Sequence, residues 1–495
     1  MRFLYELYTD ARVRKLRSKS RRLWMGCRHW LFRRQCLMQR MPWVVTEPAI
    51  AIGSGQYVLT GWLYDPRRTI QRVLIRNAQG LSLDITGSMI YYDDARLRKK
   101  LKSSTQAPLP RFMVQFSVDD EVARQADPQA SGGGHCYSLV IEKRNGSAKT
   151  RRIVMQAVAD FPLNDIRQLL NQLPVTMGGK RKLFDTLLGP AITQLWSNRP
   201  TVETPKAAVV EYNAARAPST PAVSLVIPVY GRFDFIEHQL TRFSTDEDMR
   251  RHDIIFVLDD PRLDSAVRQH AFHWAHYFDI AFRIVYLGTN LGYAGANNRG
   301  VEFARAPSLL LLNSDVLPRD TGWVTALVES ASGVGDDNLA NTLMGARLLY
   351  EDQTIQHDGM KFYASPFLDN LWTNTHPNKG LPTDVVSVAA EPFEVEAVTG
   401  ACLLIARERY LELGGFDEHY ILGDFEDSDL CLRARSHGMT VKQNSNVVLY
   451  HLERQSQSLV SADQWKSEIT YYNCWYHTQL WSDDILALQG GVTGE

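Results

Sequence analysis

The distribution of apolar residues changes twice along the chain. Between residue 43 and about residue 160, short runs alternate apolar with polar positions and are rich in Val, Ile, Tyr and Thr. Turn-forming pairs such as Asp65-Pro66 and Asn145-Gly146 separate these runs. Because a period of two is that of a half-buried strand, six or seven such runs predict an all-β sandwich domain over residues 43–160.

From residue 223 onward the apolar runs become nearly continuous, and polar segments of helix length separate them. The four runs are VSLVIPV, DIIFVLDD, FRIVYL and SLLLLNSD. Uninterrupted apolar strands are typical of parallel strands buried on both faces, so this alternation predicts an α/β sheet. We therefore expect a helical connector and a Pro-rich linker over 161–221, an α/β domain over 222–481 and a tail over 482–495.

The first 42 residues form a third region, predicted to be a basic amphipathic helix. They contain 12 Lys and Arg residues against two acids, Glu6 and Asp10, so they carry a net charge of +10 while the remaining residues carry −10. Two interpretations have equal weight: the arm binds an anionic membrane surface, or it packs on the acidic body of the same chain. No nucleic-acid partner is expected, because no recognisable reader motif follows the arm.

The amino-acid composition limits the classes of protein to which this chain can belong. The chain has 495 residues, of which 44% are hydrophobic and 22% are charged, so it can bury a sizeable core and is not disordered overall. Its six cysteines form no CxxC pair, and no run of 18 apolar residues occurs. We expect a cytoplasmic protein, attached peripherally to the inner face of the plasma membrane if the arm binds lipid.

Polar residues follow each of the four buried strands. Since ligands of such sheets bind at the carboxyl ends of the strands, these residues predict a pocket there. Asp259 or Asp260 suits hydrogen bonds from a base or ribose, and Asp315 suits a divalent cation. A single acidic strand end is more often a helix cap, but four such ends together favour a pocket. The four strand ends carry Pro228 to Arg232, Asp259-Asp260, Asn290 to Gly292, and Asn313 to Asp315.

The segment NLGYAGANNRG invites comparison with the dinucleotide-binding fingerprint. Its glycines, Gly292, Gly295 and Gly300, lack the GxGxxG spacing, which disfavours a dehydrogenase. A turn of this kind still opens a helix, and the N–H groups of a helix N-terminus suit a phosphate. The alternative is a tight turn packed against the sheet.

Two further features carry candidate chemistry near the end of the α/β domain. Asp424, Glu426, Asp427 and Asp429 place four acids in six residues at the start of a predicted helix. Acids complement a helix dipole, but this cluster exceeds what capping requires, so one of them is a candidate general base. His451 follows a predicted strand and is either a metal ligand or a structural histidine.

Seven motifs, taken in chain order, resemble those of family 2 glycosyltransferases with a GT-A fold, most of all the bacterial rhamnosyltransferase-like members. The resemblance covers about residues 222–481. It implies an inverting hexosyltransferase that moves a sugar from a nucleotide donor, a UDP- or dTDP-sugar, to a glycan or lipid-linked glycan with the help of Mg²⁺ or Mn²⁺. The motifs are VSLVIPVYGR, VLDD, NLGYAGANNRG, LLLLNSD, TGACLLIARERYLELGGFDE, FEDSDLCLR and YHLERQS.

The resemblance also implies roles for individual residues. Asp427 stands in the position of the catalytic base with Glu426 as its supporting group, and Asp315 and His451 stand as metal ligands. Asn313 replaces the first acid of the usual Asp-x-Asp motif, and VLDDP lacks the Gly-Ser that usually follows the acidic pair. The residues expected to contact the nucleotide donor are Pro228, Tyr230, Asp259, Asp260, Asn290, Gly292, Asn297 and Asn313.

Two other functions remain open at this point. A nucleotidyltransferase also combines an α/β nucleotide site with an acidic metal ligand, although PVYGRFD offers only Gly231 and Arg232 as a phosphate loop. An inactive carbohydrate-binding protein would use the β-sandwich to bind glycan and keep the α/β domain as a scaffold.

Overall fold

The computed structural model describes residues 43–53, 55–65, 68–93, 110–118, 137–156, 162–173, 180–199, 207–332, 338–452 and 464–490. The chain divides into two compact units, Met1–Pro200 and Thr201–Glu495. The predicted basic arm lies outside the described residues, as do residues 491–495 of the predicted tail.

Two β-sheets form most of the described part of the first unit. One sheet has the strand order β10-β2-β3-β7-β6, with β1 also paired to β3, and the other has the order β5-β4-β8-β9. Their strands are β1 (Trp43–Thr46), β2 (Ala49–Gly53), β3 (Gln56–Tyr64), β4 (Ile70–Arg76), β5 (Ser82–Asp84), β6 (Ile90–Asp93), β7 (Pro110–Ser117), β8 (Tyr137–Lys143), β9 (Ala148–Ile153) and β10 (Met155–Gln156).

The alternation seen in the sequence places apolar side chains of both sheets in one core. Leu59 and Val114 from the first sheet and Ile75 and Leu139 from the second belong to the same buried cluster. Helices follow the sheets: α1 (Pro162–Leu170), α2 (Lys180–Leu183), a π-helical turn (Phe184–Leu188) and α3 (Gly189–Ser197).

The second unit is built on a mixed sheet with the order β11-β14-β13-β12-β15-β22-β17-β23-β16. Strands β12 to β15 are the four apolar runs; β12 is parallel to both β13 and β15, and β13 is parallel to β14, as predicted. The strands are β11 (Ala208–Tyr212), β12 (Val223–Val229), β13 (Asp253–Leu258), β14 (Phe282–Tyr286), β15 (Ser308–Leu312), β16 (Val316–Pro318), β17 (Thr342–Leu349), β18 (Ile355–His357), β19 (Lys361–Ser365), β20 (Leu371–Thr375), β21 (Phe393–Glu394), β22 (Cys402–Ala406) and β23 (Thr440–His451).

The strand order creates a switch point beside β12. The chain passes from β12 to β13 and β14 on one side, and then returns to place β15 on the other side of β12. Connections of this kind open a crevice at the carboxyl ends of the two central strands. The residues that follow β12 and β15 therefore line the same edge of the sheet.

Helices cover both faces of this sheet, which explains why its strands lack alternation. Side chains of β12 alternate between two cores: Leu225 and Ile227 face one, and Val226 faces the other. Helices α4, α5 and α7 contribute to the first core, and α6, α8 and α9 to the second. Their bounds are α4 (Asp234–Ser244), α5 (Asp264–Tyr277), α6 (Gly292–Glu302), α7 (Trp323–Ala331), α8 (Arg407–Glu412) and α9 (Glu426–Ser436).

A long helix, α10 (Gln464–Gly490), ends the described chain and continues past the predicted boundary at residue 481. Its Asn473 accepts a hydrogen bond from the N–H of Ile421 and donates to the carbonyl oxygens of Ile421 and Gly423. The helix therefore fixes the loop before α9. Among the helices that the structure describes, none is both long enough and apolar enough to cross a membrane.

Candidate active site

The turn after β15 carries Asn313 and Asp315, and a buried glutamine of α4 supports it. Gln239 donates hydrogen bonds through Nε2 to the carbonyl oxygens of Asn313 (3.0 Å) and Val316 (2.9 Å). The N–H of Leu452 donates to the carbonyl oxygen of Asp315 (3.0 Å). These bonds fix the backbone of the turn, so its side chains project from a rigid base. Local sequence pattern does not reveal Gln239, because its partners lie more than 70 positions away.

His451 ends β23 and faces this turn. Its Nε2 atom lies 3.3 Å from Oδ1 of Asp315 and 3.4 Å from Nδ2 of Asn313. The pairing of β16 with β23 sets this approach, since Val316 is in register with His451. The structure thus brings together the two residues expected to bind metal, although 136 positions separate them in the sequence.

The donor set at this turn fits a divalent cation. Neighbouring ligands of an octahedral ion with bonds of about 2.1 Å lie about 3 Å apart, which matches the separation of Asp315 and His451. The Oδ1 atom of Asn313 is buried and has no hydrogen-bond partner among the described residues. No group of three His, Cys, Asp or Glu side chains is found in the described part of the chain, so a diphosphate would have to supply further oxygen ligands.

Asp427 lies in the first turn of α9 and is held by backbone donors. Its Oδ2 accepts a hydrogen bond from the N–H of Gly400 (3.0 Å), and its Oδ1 accepts one from the N–H of Ser428 (2.7 Å). Burial raises the pKa of Asp427, these two hydrogen bonds oppose the rise, and the negative charge of Asp424 adds to it. A carboxylate with a raised pKa is a stronger base, which suits proton abstraction.

Glu426 precedes Asp427 and is buried. Burial is the largest cause that raises the pKa of Glu426, and the charges of Asp427 and Asp424 raise it further. Its Oε2 atom has no hydrogen-bond partner among the residues described. Burial and the neighbouring negative charges both disfavour the ionised form of Glu426.

The loop before β22, which contains Gly400 and Ala401, contacts both the Asn313–Asp315 turn and Asp427. The N–H of Asn313 donates to the carbonyl oxygen of Ala401 (3.0 Å), while the preceding residue, Gly400, binds Asp427. The hydroxyl of Tyr293 donates to the carbonyl oxygen of Gly400 (2.8 Å). Consecutive residues therefore anchor the Asn313–Asp315 turn and the carboxylate of Asp427.

The carboxylate of Asp259 lies at the start of α6, where the sequence predicts that a phosphate could bind. Its carboxylate accepts hydrogen bonds from the N–H groups of Leu291 (2.6 Å) and Gly292 (3.0 Å), at the start of α6. Burial raises the pKa of Asp259 to about 8, although both hydrogen bonds oppose the rise. The side chain is 3% exposed. It joins the end of β13 to the turn before α6, and these two N–H groups already have an acceptor.

Asp260 is also engaged within the protein. It accepts hydrogen bonds from the backbone of Gly231 and from Nε and Nη2 of Arg262 (2.7 and 2.5 Å). The side chain of Arg262 is 71% exposed, and its guanidinium lies 5.5 Å from the ring centre of Tyr230. Pro228 and Tyr230, at the end of β12, are both half-buried. Arg262, which the sequence analysis missed, thus places an exposed positive charge beside Tyr230.

The remaining predicted donor contacts surround the start of α6. Asn290 accepts a hydrogen bond from the N–H of Gly292 (2.9 Å), which has a positive φ of 76°. Asn297 is fully buried and donates to the carbonyl oxygen of Tyr293 (3.0 Å), while its Oδ1 has no partner among the described residues. Asn290 and Gly292 therefore shape the turn, and Asn297 lies beneath it.

Asp429, the last acid of the cluster, fixes the position of α9. It accepts hydrogen bonds from Arg433 (2.8 Å), from Nε1 of Trp481 on α10 (2.8 Å) and from the hydroxyl of Tyr420 (3.4 Å). A carboxylate with these partners anchors the helix. The four acids of the cluster thus have different environments, although the sequence shows them as one run.

Comparison with known proteins gives a family for part of this unit. Residues 224–351 match the model of glycosyl transferase family 2. The chain is 26% identical over 277 residues to "O-antigen biosynthesis protein RfbC" of Myxococcus xanthus, covering 51% of this chain and 19% of that protein. It is 26% identical over 243 residues to "Uncharacterized protein y4gI" of Sinorhizobium fredii (strain NBRC 101917 / NGR234), covering 48% and 25%. The chain therefore spans about a fifth to a quarter of the length of these relatives.

Two solved structures show distant likeness. The crystal structure of GalNAc-T7 with UDP, GalNAc and Mn²⁺ has a TM-score of 0.37 and 15% identity, covering 47% of this chain and 44% of that one. The mannosyltransferase PcManGT from Pyrobaculum calidifontis, in complex with GDP-Man and Mn²⁺, has a TM-score of 0.33 and 15% identity, covering 67% and 88%. Scores this low assign neither donor nor metal to this chain.

Proposed function

We propose that this chain, which carries a family 2 glycosyltransferase domain, is a metal-dependent inverting glycosyltransferase acting in the synthesis of cell-surface polysaccharide. It would move a sugar from a nucleotide diphosphate donor to a hydroxyl group of a glycan or lipid-linked acceptor. The match to RfbC, named for O-antigen biosynthesis, supports the polysaccharide context.

One structural relationship carries the proposal. Two consecutive residues hold the turn that carries Asp315 and the candidate base, Asp427. The carbonyl oxygen of Ala401 accepts a hydrogen bond from the N–H of Asn313, and the N–H of Gly400 donates to Asp427. Transfer requires a cation at the departing diphosphate and a base at the attacking hydroxyl. A shared anchor fixes the separation of these two groups before any substrate binds, which lowers the entropy cost of reaching the transition state.

In the proposed reaction, Asp427 accepts the proton of the acceptor hydroxyl. The hydroxyl oxygen forms a bond to the anomeric carbon on the face opposite the diphosphate, and the bond from that carbon to the diphosphate oxygen breaks. The electron pair of the broken bond leaves with the nucleoside diphosphate. The raised pKa of Asp427, caused mainly by burial, suits it to hold this proton.

Asp315 and His451 would hold the divalent cation, with Asn313 beside them. When bound, the cation supplies Lewis-acid stabilisation of the negative charge on the departing diphosphate. Glu426, next to Asp427 in the chain, would support the base through its own carboxyl group, whose pKa burial and the charges of Asp427 and Asp424 raise. A carboxylate with further oxygen ligands suits both Mg²⁺ and Mn²⁺, and the imidazole favours Mn²⁺, which binds nitrogen ligands more readily than Mg²⁺ does.

The nucleotide would lie against the wall formed by Tyr230 and Arg262, beside Pro228. Asp259 and Asp260 would act there mainly through the groups they position, because intramolecular donors already occupy their carboxylates. Asn290, Gly292 and Asn297 would shape the turn beside the nucleotide. The basic arm, residues 1–42, would hold the enzyme near an anionic membrane that carries a lipid-linked acceptor.

The test is a panel of UDP-, dTDP- and GDP-sugars, each measured with Mn²⁺ or Mg²⁺ by thermal shift. A true donor raises the unfolding temperature by mass action, and its conversion with acceptor should then release a nucleoside diphosphate. Release of pyrophosphate would indicate a nucleotidyltransferase instead. If no nucleotide sugar stabilises the protein, the proposal is contradicted. Deleting residues 1–42 should abolish binding to anionic liposomes if the arm contacts lipid.

A further inference from the structure

Gln356 on β18 holds the imidazole ring of His451 through two hydrogen bonds. Its Oε1 atom lies 2.6 Å from Nδ1 of His451, and its Nε2 atom donates to the carbonyl oxygen of His451 (3.3 Å). Gln356 is 4% exposed, so neither bond competes freely with water. The two residues come together because β18 and β23 pair with opposite edges of β17.

This pair of bonds determines which ring nitrogen carries the proton. The carbonyl oxygen of His451 only accepts, so the group of Gln356 that faces it must be the NH₂ group. The other atom of the amide, Oε1, therefore faces Nδ1 and accepts from it. In a neutral imidazole, Nδ1 is then the protonated nitrogen and Nε2 carries the lone pair.

The lone pair on Nε2 of His451 points toward the turn that carries Asn313 and Asp315. Nε2 lies 3.3 Å from Oδ1 of Asp315, an oxygen that also carries lone pairs. Two acceptors that face each other at this distance repel unless a cation or a proton lies between them. Histidines that bind metals almost always donate their second N–H to a carboxylate or carbonyl oxygen, which sets ring orientation and tautomer.

We propose that Gln356 is a positioning residue for metal binding: it holds His451 as the Nδ1–H tautomer, with Nε2 directed at the cation that Asp315 also binds. The inference rests on the proposed metal-dependent function. Gln356 itself touches neither substrate nor metal. Its effect is therefore on metal affinity and on the tautomer of His451.

The first measurement uses the metal-free protein, labelled with ¹⁵N at histidine. Long-range ¹H–¹⁵N spectra distinguish the two neutral tautomers, and a His451→Gln spectrum identifies the signals of His451. They are recorded at alkaline pH, and the ¹⁵N shifts themselves show that the ring is in a neutral form. Wild type should show Nδ1–H, and Gln356→Leu should show a mixture or the Nε2–H form. A wild-type Nε2–H tautomer would overturn the proposal.

The second measurement is Mn²⁺ affinity by electron paramagnetic resonance, with UDP or GDP present to supply the further oxygen ligands that the site needs. Gln356→Leu should weaken binding about 10–100-fold, the range usual for partners of metal ligands. Gln356→Glu keeps an oxygen acceptor for Nδ1–H but loses the donor to the carbonyl oxygen of His451, so it should keep the Nδ1–H tautomer and lose less affinity than the Leu variant. Equal loss in the Glu and Leu variants, or unchanged affinity in the Leu variant, would overturn the positioning role.

Two controls separate this role from other failures. Gln269→Leu makes the same change at an exposed position of α5 and should leave the tautomer and Mn²⁺ affinity unchanged. Unfolding temperatures of all variants show whether each folds, and the tautomer is read directly in those that do. A wild-type protein that has the Nδ1–H tautomer but binds no Mn²⁺ even with UDP or GDP present would overturn the proposed metal dependence, and the positioning role with it.

Discussion

The backbone N–H of Gly400 donates a hydrogen bond of 3.0 Å to Oδ2 of Asp427, so the loop before β22 fixes the orientation of this carboxylate. A second donor, the N–H of Ser428, binds the other oxygen at 2.7 Å. The carboxylate is thus held in one orientation before an acceptor arrives. This arrangement distinguishes Asp427 from the other acids of the cluster and makes it the first target for substitution.

Asp427→Asn should lower the transfer rate by about 10²–10⁴, because the amide cannot accept the proton of the acceptor hydroxyl. Donor binding should change little, since Asp427 acts on the acceptor. The measurements are turnover with the donor found in the panel and calorimetric donor affinity. Asp429→Asn is not a suitable control, because Asp429 anchors α9. The control is Asp320→Asn, because Asp320 is an exposed carboxylate. Wild-type turnover in Asp427→Asn would remove this residue from the role of base.

The pH dependence of the reaction should respond to Asp424. Burial is the main cause that raises the pKa of Asp427, and the negative charge of Asp424 raises it further. A base works only when deprotonated, so kcat/KM should fall as pH drops through this pKa. Asp424→Asn removes the charge and keeps a residue that tolerates the positive φ of 78°. The acid limb of kcat/KM should therefore move to lower pH, and a limb that stays or moves upward would contradict the assignment.

Asp315→Ala should abolish the part of donor binding that depends on Mn²⁺, because the variant loses the carboxylate that we propose to bind the cation. Calorimetry with the donor, in the presence and absence of Mn²⁺, measures this difference. Asp320→Ala removes a nearby carboxylate that is exposed and paired with Arg319, and it should behave as wild type. An Asp315→Ala protein whose donor affinity still responds to Mn²⁺ would show that the metal binds elsewhere.

His477 on α10 should limit the stability of the second unit. Both ring nitrogens are buried and have no hydrogen-bond partner in the described part of the chain, and the ring lies among Phe362, Tyr420 and Phe425. His477→Phe should raise the free energy of unfolding by about 1–3 kcal/mol, the cost of an unsatisfied buried polar group. Denaturant titration measures the change. His273→Phe, at an exposed position of α5, should have little effect.

The same histidine predicts how stability changes with pH. Burial lowers the pKa of His477 to about 3. Below the ordinary pKa of 6.5, the unfolded chain takes up a proton that the folded chain does not, so this group costs about 1.4 kcal/mol of stability per pH unit until about pH 3. His477→Phe removes that cost, and its advantage over wild type should grow as pH falls from about 7.5 to about 5. An advantage independent of pH would contradict the lowered pKa.

Gly300 allows α6 to pack closely against the central strands β12 and β13. A Cβ atom at this residue would lie 2.4 Å from Cγ1 of Val226 and 2.6 Å from Cγ2 of Val257, both on the central strands. Gly300→Ala should lower the free energy of unfolding by about 1–3 kcal/mol, as overpacking of a core does. Gly490→Ala, where an added Cβ meets no atom within 4 Å, is the matched control. Equal stability of the two variants would show that the helix can move away without cost.

Several features of this protein follow from the sequence alone. Continuous apolar runs predict strands covered on both faces, and Val226 and Leu225 do face opposite cores. The carboxyl ends of parallel strands must share an edge, so the gathering of Asp259, Asp260 and Asp315 near one edge was predictable. The order of seven motifs indicated the family, which the match over residues 224–351 supports. Local pattern suffices here because burial and strand direction leave a regular trace in the chain.

The role of each polar side chain at this edge of the sheet depends on its partners in the tertiary structure. Asp259 and Asp260 look equivalent in the sequence, yet one binds the start of α6 and the other binds Arg262. Gln356 supports His451 from 95 positions away, and Gln239 supports Asn313 from 74. Hydrogen bonds between residues this distant leave no local periodicity. The sequence therefore determined which groups reach the edge of the sheet, and only the folded chain determined which of them have partners and which remain available for chemistry.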